Sequence, residues 1–243
     1  MAYLIISLAI QAALIIHVIK TGRNQIWIWV LALLSLPGII AYVVVEIIPD
    51  LFRSRTAQRT ARGLKKAMDP GRDLRRYENE ARIAGNVASR QRYAEELVRH
   101  QRYDEAIAQY RQALSGLYEH DPNLMLGLAQ AQFGKGDAPA ARTTLDELIR
   151  LNPDFRSPAG HLLYARSLEA EGNIARALEE YRVVAGSFPG AEAAVRYAQL
   201  LKAQGQTNEA QKIARELLQQ ARIAPGHYRR AQREWLEAAE RIA

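Results

Sequence analysis

Two apolar runs open the chain. Residues 2–19, AYLIISLAIQAALIIHVI, carry no charged side chain, and after the polar break Lys20–Gln25 a second run extends from Ile26 to Ile48. Only Ser35, the Pro37-Gly38 pair and Glu46 interrupt it. Crossing a bilayer core takes roughly 20 apolar residues of helix. Each run therefore predicts a membrane-spanning helix, and together they predict a transmembrane hairpin over residues 1–50. Trp27 and Trp29 stand where the second run begins, as amphipathic rings favour the headgroup layer. Glu46 lies near its end, within reach of the interface. Pro37 removes a backbone donor, so Pro37-Gly38 predicts a kink that fits the two helices together.

Further along, the continuous apolar signal gives way to a helical periodicity that repeats. Ala106, Ala141, Ala177 and Ala210 recur at separations of 35, 36 and 33 residues. About a dozen residues before each lies another pair: Tyr93-Ala94, Leu128-Ala129, Tyr164-Ala165 and Tyr197-Ala198. A self-similar period in the mid-thirties predicts stacked antiparallel helix pairs rather than one globular core. In the second unit Leu128, Ala129 and Gln132 belong to the first helix, Gly134–Asp137 to the turn, and Ala141, Leu145 and Leu148 to the returning helix, with Pro153 closing. The third repeats this with Tyr164, Ala165 and Leu168, the turn Gly172-Asn173, then Ala177, Tyr181 and Val184, and Pro189. Small residues suit close helix crossings, and glycine or asparagine accepts the turn conformation.

The expected fold class is thus all-α: a two-helix transmembrane hairpin followed by an α-solenoid of about four helix pairs over residues 85–224. Residues 51–84 read as a basic juxtamembrane linker plus a short charged N-capping helix, RDLRRYENEARIAG, ending near Gly85. Residues 225–243 read as one amphipathic capping helix turning Tyr228, Ala231, Trp235 and Ala238/Ala239 towards the stack. The end units depart from the pattern. His100-Gln-Arg replaces the first turn glycine, and Leu117 to His120 are expected to lengthen the returning helix before Pro122. The fourth unit has Arg222 where proline is expected and Pro225 three residues later.

Charge adds topology. The formal net charge is +7, which raises nucleic acid or an anionic membrane as partners. Arg53, Arg55, Arg59, Arg62, Lys65 and Lys66 all precede the next acid, Asp69, whereas the interhelical loop holds only Lys20 and Arg23. The positive-inside rule then sets both termini of the hairpin and the repeat domain on the cytoplasmic side of a multi-pass inner-membrane protein. The basic stretch suits anionic headgroups, at about 1 kcal/mol per Lys or Arg near the surface. It lacks interleaved aromatics or a recognition motif, so no nucleic acid is expected. A cleaved signal peptide fits poorly, because a second apolar run follows and no basic leader or small-residue cleavage site is present. The chain has no cysteine, which excludes disulfides, thiolate metal sites and a cysteine nucleophile.

The segment WIWVLALLSLPGIIAY, Trp27 to Tyr42, resembles the second half of the N-terminal membrane hairpin of phospholipase D-type cardiolipin synthases. Those enzymes carry paired H-x-K-x-x-x-x-D motifs, and none of the five histidines here, at 17, 100, 120, 161 and 227, is followed by lysine two residues on. The resemblance implies a shared anchor without lipid chemistry. Residues 84–224 resemble the tetratricopeptide repeat, with its small–small crossings, turn glycine and terminal proline. Together the two segments resemble a bacterial family of membrane-anchored repeat proteins, which supplies an architecture and no activity.

No catalytic, cofactor or metal motif stands out: there is no Gly-rich phosphate loop, no H-E-x-x-H and no G-x-S-x-G. The acid pairs Glu95-Glu96, Asp104-Glu105, Glu169/Glu171 and Glu179-Glu180 read as solvated faces, and His17, one turn from Lys20, as interfacial. No enzyme, cofactor or small-molecule substrate is expected. Function then falls to surface. A tetratricopeptide stack curves so that its first helices line a concave groove for a peptide. By repeat phase the groove candidates are Gln91, Glu95, Leu126, Gln130, Phe133, Leu162, Arg166, Glu169, Gln199 and Lys202. Some tetratricopeptide domains clamp a C-terminal carboxylate with Lys and Asn. Glu95, Gln130, Arg166 and Gln199 at those positions do not predict that mode. The expectation is a membrane-anchored scaffold recruiting a protein partner. The alternative is an accessory subunit of envelope lipid metabolism acting through the hairpin.

Overall fold

A computed structural model describes residues 2–21, 24–47, 69 and 71–243. The basic stretch Arg53–Lys66, most of the linker, and Arg23 of the interhelical loop lie outside the described residues. The chain divides into two compact units, Met1–Arg72 and Asp73–Ala243.

The first unit is a helical hairpin. Helix α1 (Ala2–Thr21) packs against α2 (Ile26–Leu33) and α3 (Ser35–Tyr42), and a π-helical turn, Val43–Ile47, follows. Val18, Leu31 and Tyr42 form its small core, with Leu14, Ile15, Trp27, Ile28 and Ile39 packed around them. The second apolar run is not the single helix its composition predicts. The backbone leaves helical geometry at Leu34 (φ −103°, ψ 12°), where its N–H still bonds the Val30 carbonyl at 3.0 Å. Pro37 has no N–H to give the next turn. Gly38 lets the backbone pass close to the preceding turn, because a Cβ there would sit 2.5 Å from the Val30 carbonyl oxygen. The expected kink is thus present at Leu34, between a segment of 8 residues and one in which α3 runs on into the π-helical turn, and the bond from the Gly38 N–H to the Leu34 carbonyl, 3.2 Å, carries the helix through it. The segment before the kink, α2, is about 12 Å long at ~1.5 Å per residue, well short of a bilayer core by itself. Helix α1 has 20 residues, the first eight with side chains outside the description. Among the described residues no helix is long and apolar enough to cross a membrane.

The second unit is an all-α solenoid. A capping helix α4 (Arg72–Ala84) precedes four antiparallel pairs: α5 (Val87–Arg99) with α6 (Tyr103–Ala113), α7 (Pro122–Lys135) with α8 (Ala138–Leu151), α9 (Pro158–Ala170) with α10 (Ile174–Ser187), and α11 (Glu192–Ala203) with α12 (Thr207–Ile223). The periodic positions are its core. Ala106, Ala141, Ala177 and Ala210 are fully buried, as are Ala94, Ala129, Ala165 and Ala198 opposite them. Polar caps set the helix starts where sequence supplies them. Asn86 accepts from the Ser89 N–H, Asp121 from those of Asn123 and Leu124, Asp137 from Ala140, and Ser157 from Gly160.

Turn geometry persists even where turn chemistry does not. Gly136, Gly172 and Gly205 take φ of 93°, 77° and 79°, and the glycine-less first turn uses Gln101 at φ 58°. The residues between α6 and α7 do not extend the helix as expected. Helix α6 stops at Ala113, and a 3₁₀ turn, Gly116–Tyr118, carries the chain round, with Leu117 fully exposed. Leu114 (ψ 70°) and the extended Ser115 end the helix, and Gly116 at φ 57° lets the turn that follows close. The C-terminal cap is two short helices rather than one: α13 (Gly226–Ala231) and α14 (Arg233–Glu240). Ala238, Ala239 and Ile242 bury against the stack with Trp235 beside them, whereas Ala231 is exposed. Gln232 sits at the break and accepts the Ala191 N–H at 2.9 Å, tying the cap to the start of α11.

Candidate protein-binding groove

Where the first helices of successive pairs lie side by side, they leave an open concavity of about 380 Å³. Val98 and Tyr103 of the first pair close one end, and Phe188 and Glu192, at the passage into the fourth pair, close the other. Between them α7 contributes Gln130, Phe133 and Gly134, and α9 contributes Ala159, Leu162, Leu163 and Arg166. Gly134 is required here, since a Cβ would collide with the Tyr103 ring.

Four of the ten sequence candidates, Gln130, Phe133, Leu162 and Arg166, share this concavity. The others go elsewhere. Gln91 donates to Glu95 at 3.1 Å one turn along α5. Leu126 lines a smaller apolar recess with Leu145, Leu148, Phe155 and His161. Glu169 accepts the Tyr181 hydroxyl at 2.6 Å and serves the joint between α9 and α10. Gln199 and Lys202 are exposed on α11. Sequence phase missed Val98, Tyr103, Leu163, Phe188 and Glu192, because three of them lie at helix ends and joints where the repeat register carries no fixed direction.

Arginine and carboxylate chemistry concentrates at the α9–α11 end. The Arg166 guanidinium lies 4.7 Å from the centroid of the Phe133 ring, a cation–π arrangement. Its nearest carboxylate, Glu192, is 3.8 Å away and is held instead by Arg196 at 2.8 Å. Arg196 in turn lies over Trp235 of the cap at 5.0 Å. Burial, and then the like charge of Arg196, pull the Arg166 pKa below the usual guanidinium range. Burial, reinforced by the hydrogen bond to Glu169, pushes the Tyr181 phenol up, and burial does the same for Tyr110.

The acid pairs are not uniformly solvated as expected. Glu96 is 4% exposed, and its carboxylate meets Arg99 at 2.7 Å and His100 at 3.5 Å. Glu171 accepts from Arg142 of α8 at 2.8 Å, so it links two repeats. In the hairpin, His17 Nδ1 and the Tyr42 hydroxyl lie 3.0 Å apart. Among the described residues no three His, Asp or Glu side chains gather as a metal site.

Residues 97–167 match the tetratricopeptide repeat family, a span that takes in the groove residues from Val98 to Arg166 and does not reach the hairpin. No curated protein matches the chain. Among solved structures, the chain is similar to MamA, at 18% identity and a TM-score of 0.54 over 65% of this chain and 93% of that one. It is also similar to TTC0263, a thermophilic TPR protein of Thermus thermophilus, at 17% identity and a TM-score of 0.53, covering 69% and 88%. PilF of Pseudomonas aeruginosa matches at 20% identity and a TM-score of 0.51, covering 94% and 99%. At such identities the likeness is one of fold. The second unit is a solenoid of tetratricopeptide type.

Proposed function

We propose that this chain is a membrane-anchored adaptor whose repeat array holds an extended segment of a protein partner at the cytoplasmic face of a bacterial inner membrane. The continuous concavity across α5, α7, α9 and α11 carries this reading. Its walls combine apolar surface from Val98, Phe133, Leu162 and Phe188 with the polar groups of Gln130 and Arg166, as a specific peptide groove requires.

The anchor has its own support. Around the hairpin, Ile16, Ile19, Ile26, Trp29, Leu33, Ile40, Val44 and Val45 are more than half exposed, an apolar exterior that water does not favour. Its polar groups are engaged internally: the Gln11 amide donates to the Leu31 carbonyl at 3.0 Å and the Trp27 indole to Glu46 at 2.9 Å. Charge is unevenly distributed too. The first 72 residues hold nine basic and three acidic side chains, against 24 and 23 in the remainder. Anchoring raises the groove's local concentration for partners at the surface.

Site-specific photocrosslinking in native membranes tests the groove. A photoreactive residue at Gln130 or Ala159 should give one discrete adduct, and the same residue at Glu179 on the exposed side of α10 should give none. Equal adducts from both faces would overturn the reading.

A further inference from the structure

We infer that the groove selects a partner segment with an acidic side chain, whose carboxylate is taken by Arg166 while an adjacent apolar side chain packs beside Phe133. This rests on the groove reading above and names the chemistry of its occupant.

The inference follows from where hydrogen-bond capacity is left over. A guanidinium carries five N–H donors in a planar fork. Arg166 is stacked on Phe133 and its side chain is only 32% exposed, yet among the described residues it makes no hydrogen bond. Neither of the two carboxylates beside it accepts a hydrogen bond from it. Glu192 accepts from Arg196 at 2.8 Å, and Glu169 accepts from Tyr181 at 2.6 Å. Glu192 approaches Arg166 only to 3.8 Å, beyond hydrogen-bond distance.

An occupant of the concavity strips the remaining water from those donors. A purely apolar segment would leave the fork buried with only its 3.8 Å ion pair to Glu192 and no hydrogen bond. A carboxylate matches the fork bidentately and compensates the desolvation. Stacking on Phe133 fixes the guanidinium plane beforehand, so little side-chain freedom is lost on binding. The neighbouring wall of Leu162, Leu163 and Phe188 then accepts an apolar side chain next to the acid.

The test uses the purified full chain and three immobilised libraries of extended octapeptides with random flanks. The central residue is fixed as aspartate, asparagine or phosphoserine. The expected result is selection from the aspartate library, with an apolar residue beside the acid. Binding should be about tenfold or more weaker for the asparagine version of each selected peptide, the fold-change of one charged hydrogen-bonding pair. Arg166→Gln should abolish that aspartate preference while its helical circular-dichroism melt stays unchanged. Arg166→Lys should keep part of it, as charge without the fork. Stronger selection of phosphoserine, or peptides selected without regard to the central residue, overturns the carboxylate assignment and leaves the groove standing. Failure of all three libraries to bind overturns both.

Discussion

In the repeat array, apolar side chains point inward and charges face outward. Leu97, Leu124, Leu145, Leu168 and Val184 are buried to 2% exposure or less, while arginine and glutamate pairs such as Arg102–Glu105 and Arg233–Glu237 cover the surface. In the hairpin the order is reversed over much of its surface. Isoleucine, leucine and valine face outward, and the hydrogen bonds that engage Gln11, Trp27 and the His17–Tyr42 pair run between its own segments. One chain thus contains two solutions to the same constraint, that every buried polar group needs a partner. The array places polar groups in water. The hairpin pairs them internally and leaves its outside free to meet an apolar medium.

The largest effect should come from reversing the hairpin's exterior. The triple variant Ile19→Asp, Leu33→Asp, Ile40→Asp places acids on side chains that are 64%, 77% and 62% exposed. At a bilayer centre each acid costs about 2.5–3.5 kcal/mol. In a density-gradient flotation assay the parent should rise with the lipid and the triple variant should remain at the bottom. Ile149→Asp with Val183→Asp, on exposed apolar positions of the array, should float like the parent. Flotation of the triple variant would break the contrast between the units.

Within the array, the second effect in size is Tyr181→Ala. Tyr181 is fully buried between α9 and α10. Its removal leaves a cavity and should cost about 3–5 kcal/mol in denaturant unfolding followed by helical signal. Tyr181→Phe loses only the bond to Glu169 and should cost about 1 kcal/mol. A Phe variant as damaged as the Ala variant would mean that the hydroxyl, not the packing, holds the pair together.

Legibility in the sequence followed the same division. The four alanines and their aromatic–alanine partners were readable because close helix crossings admit few residue types, and all eight alanines are buried where the period sets them. The capping roles of Asp121, Asp137 and Ser157 went unread, because the repeat period marks where helices cross and not which side chain caps them. Helix ends were less readable. Ser115 and Gln232 end or divide helices through backbone conformation and a bond to a residue 41 positions away, and neither leaves a periodic trace. The kink itself was legible in Pro37-Gly38, but its place at Leu34 depends on how closely Gly38 approaches Val30, which composition does not encode. For the groove, phase identified the middle of α7 and α9 but not Tyr103, Phe188 or Glu192 at the joints. Glu169 read as solvated because its partner, Tyr181, comes from the fold; the partners of Glu96, Arg99 and His100, lie one turn away, and only its burial was not legible.

The smallest effect sharpens the claim that packing, not surface charge, joins the repeats. Lys135 at the end of α7 approaches Asp104 of α6 at 2.6 Å, a short ion pair between successive units. The hydrogen bond to Asp104 raises the Lys135 pKa, so any stability it supplies is present below the ordinary lysine range and fades as pH rises through the higher folded value. Both side chains are open to water, at 48% and 78% exposure, and exposed pairs are largely screened. Lys135→Gln should therefore give thermal melts superimposable on the parent from pH 6 to pH 9. The same α6–α7 joint contains Gly127, where an added Cβ would lie 2.5 Å from the Tyr110 ring in the core. Gly127→Ala should lower stability by about 1–3 kcal/mol through overpacking. If the lost ion pair destabilised the array more than the added methyl group, charge would be what registers one repeat on the next, and the array would no longer be the packing-held half of the molecule.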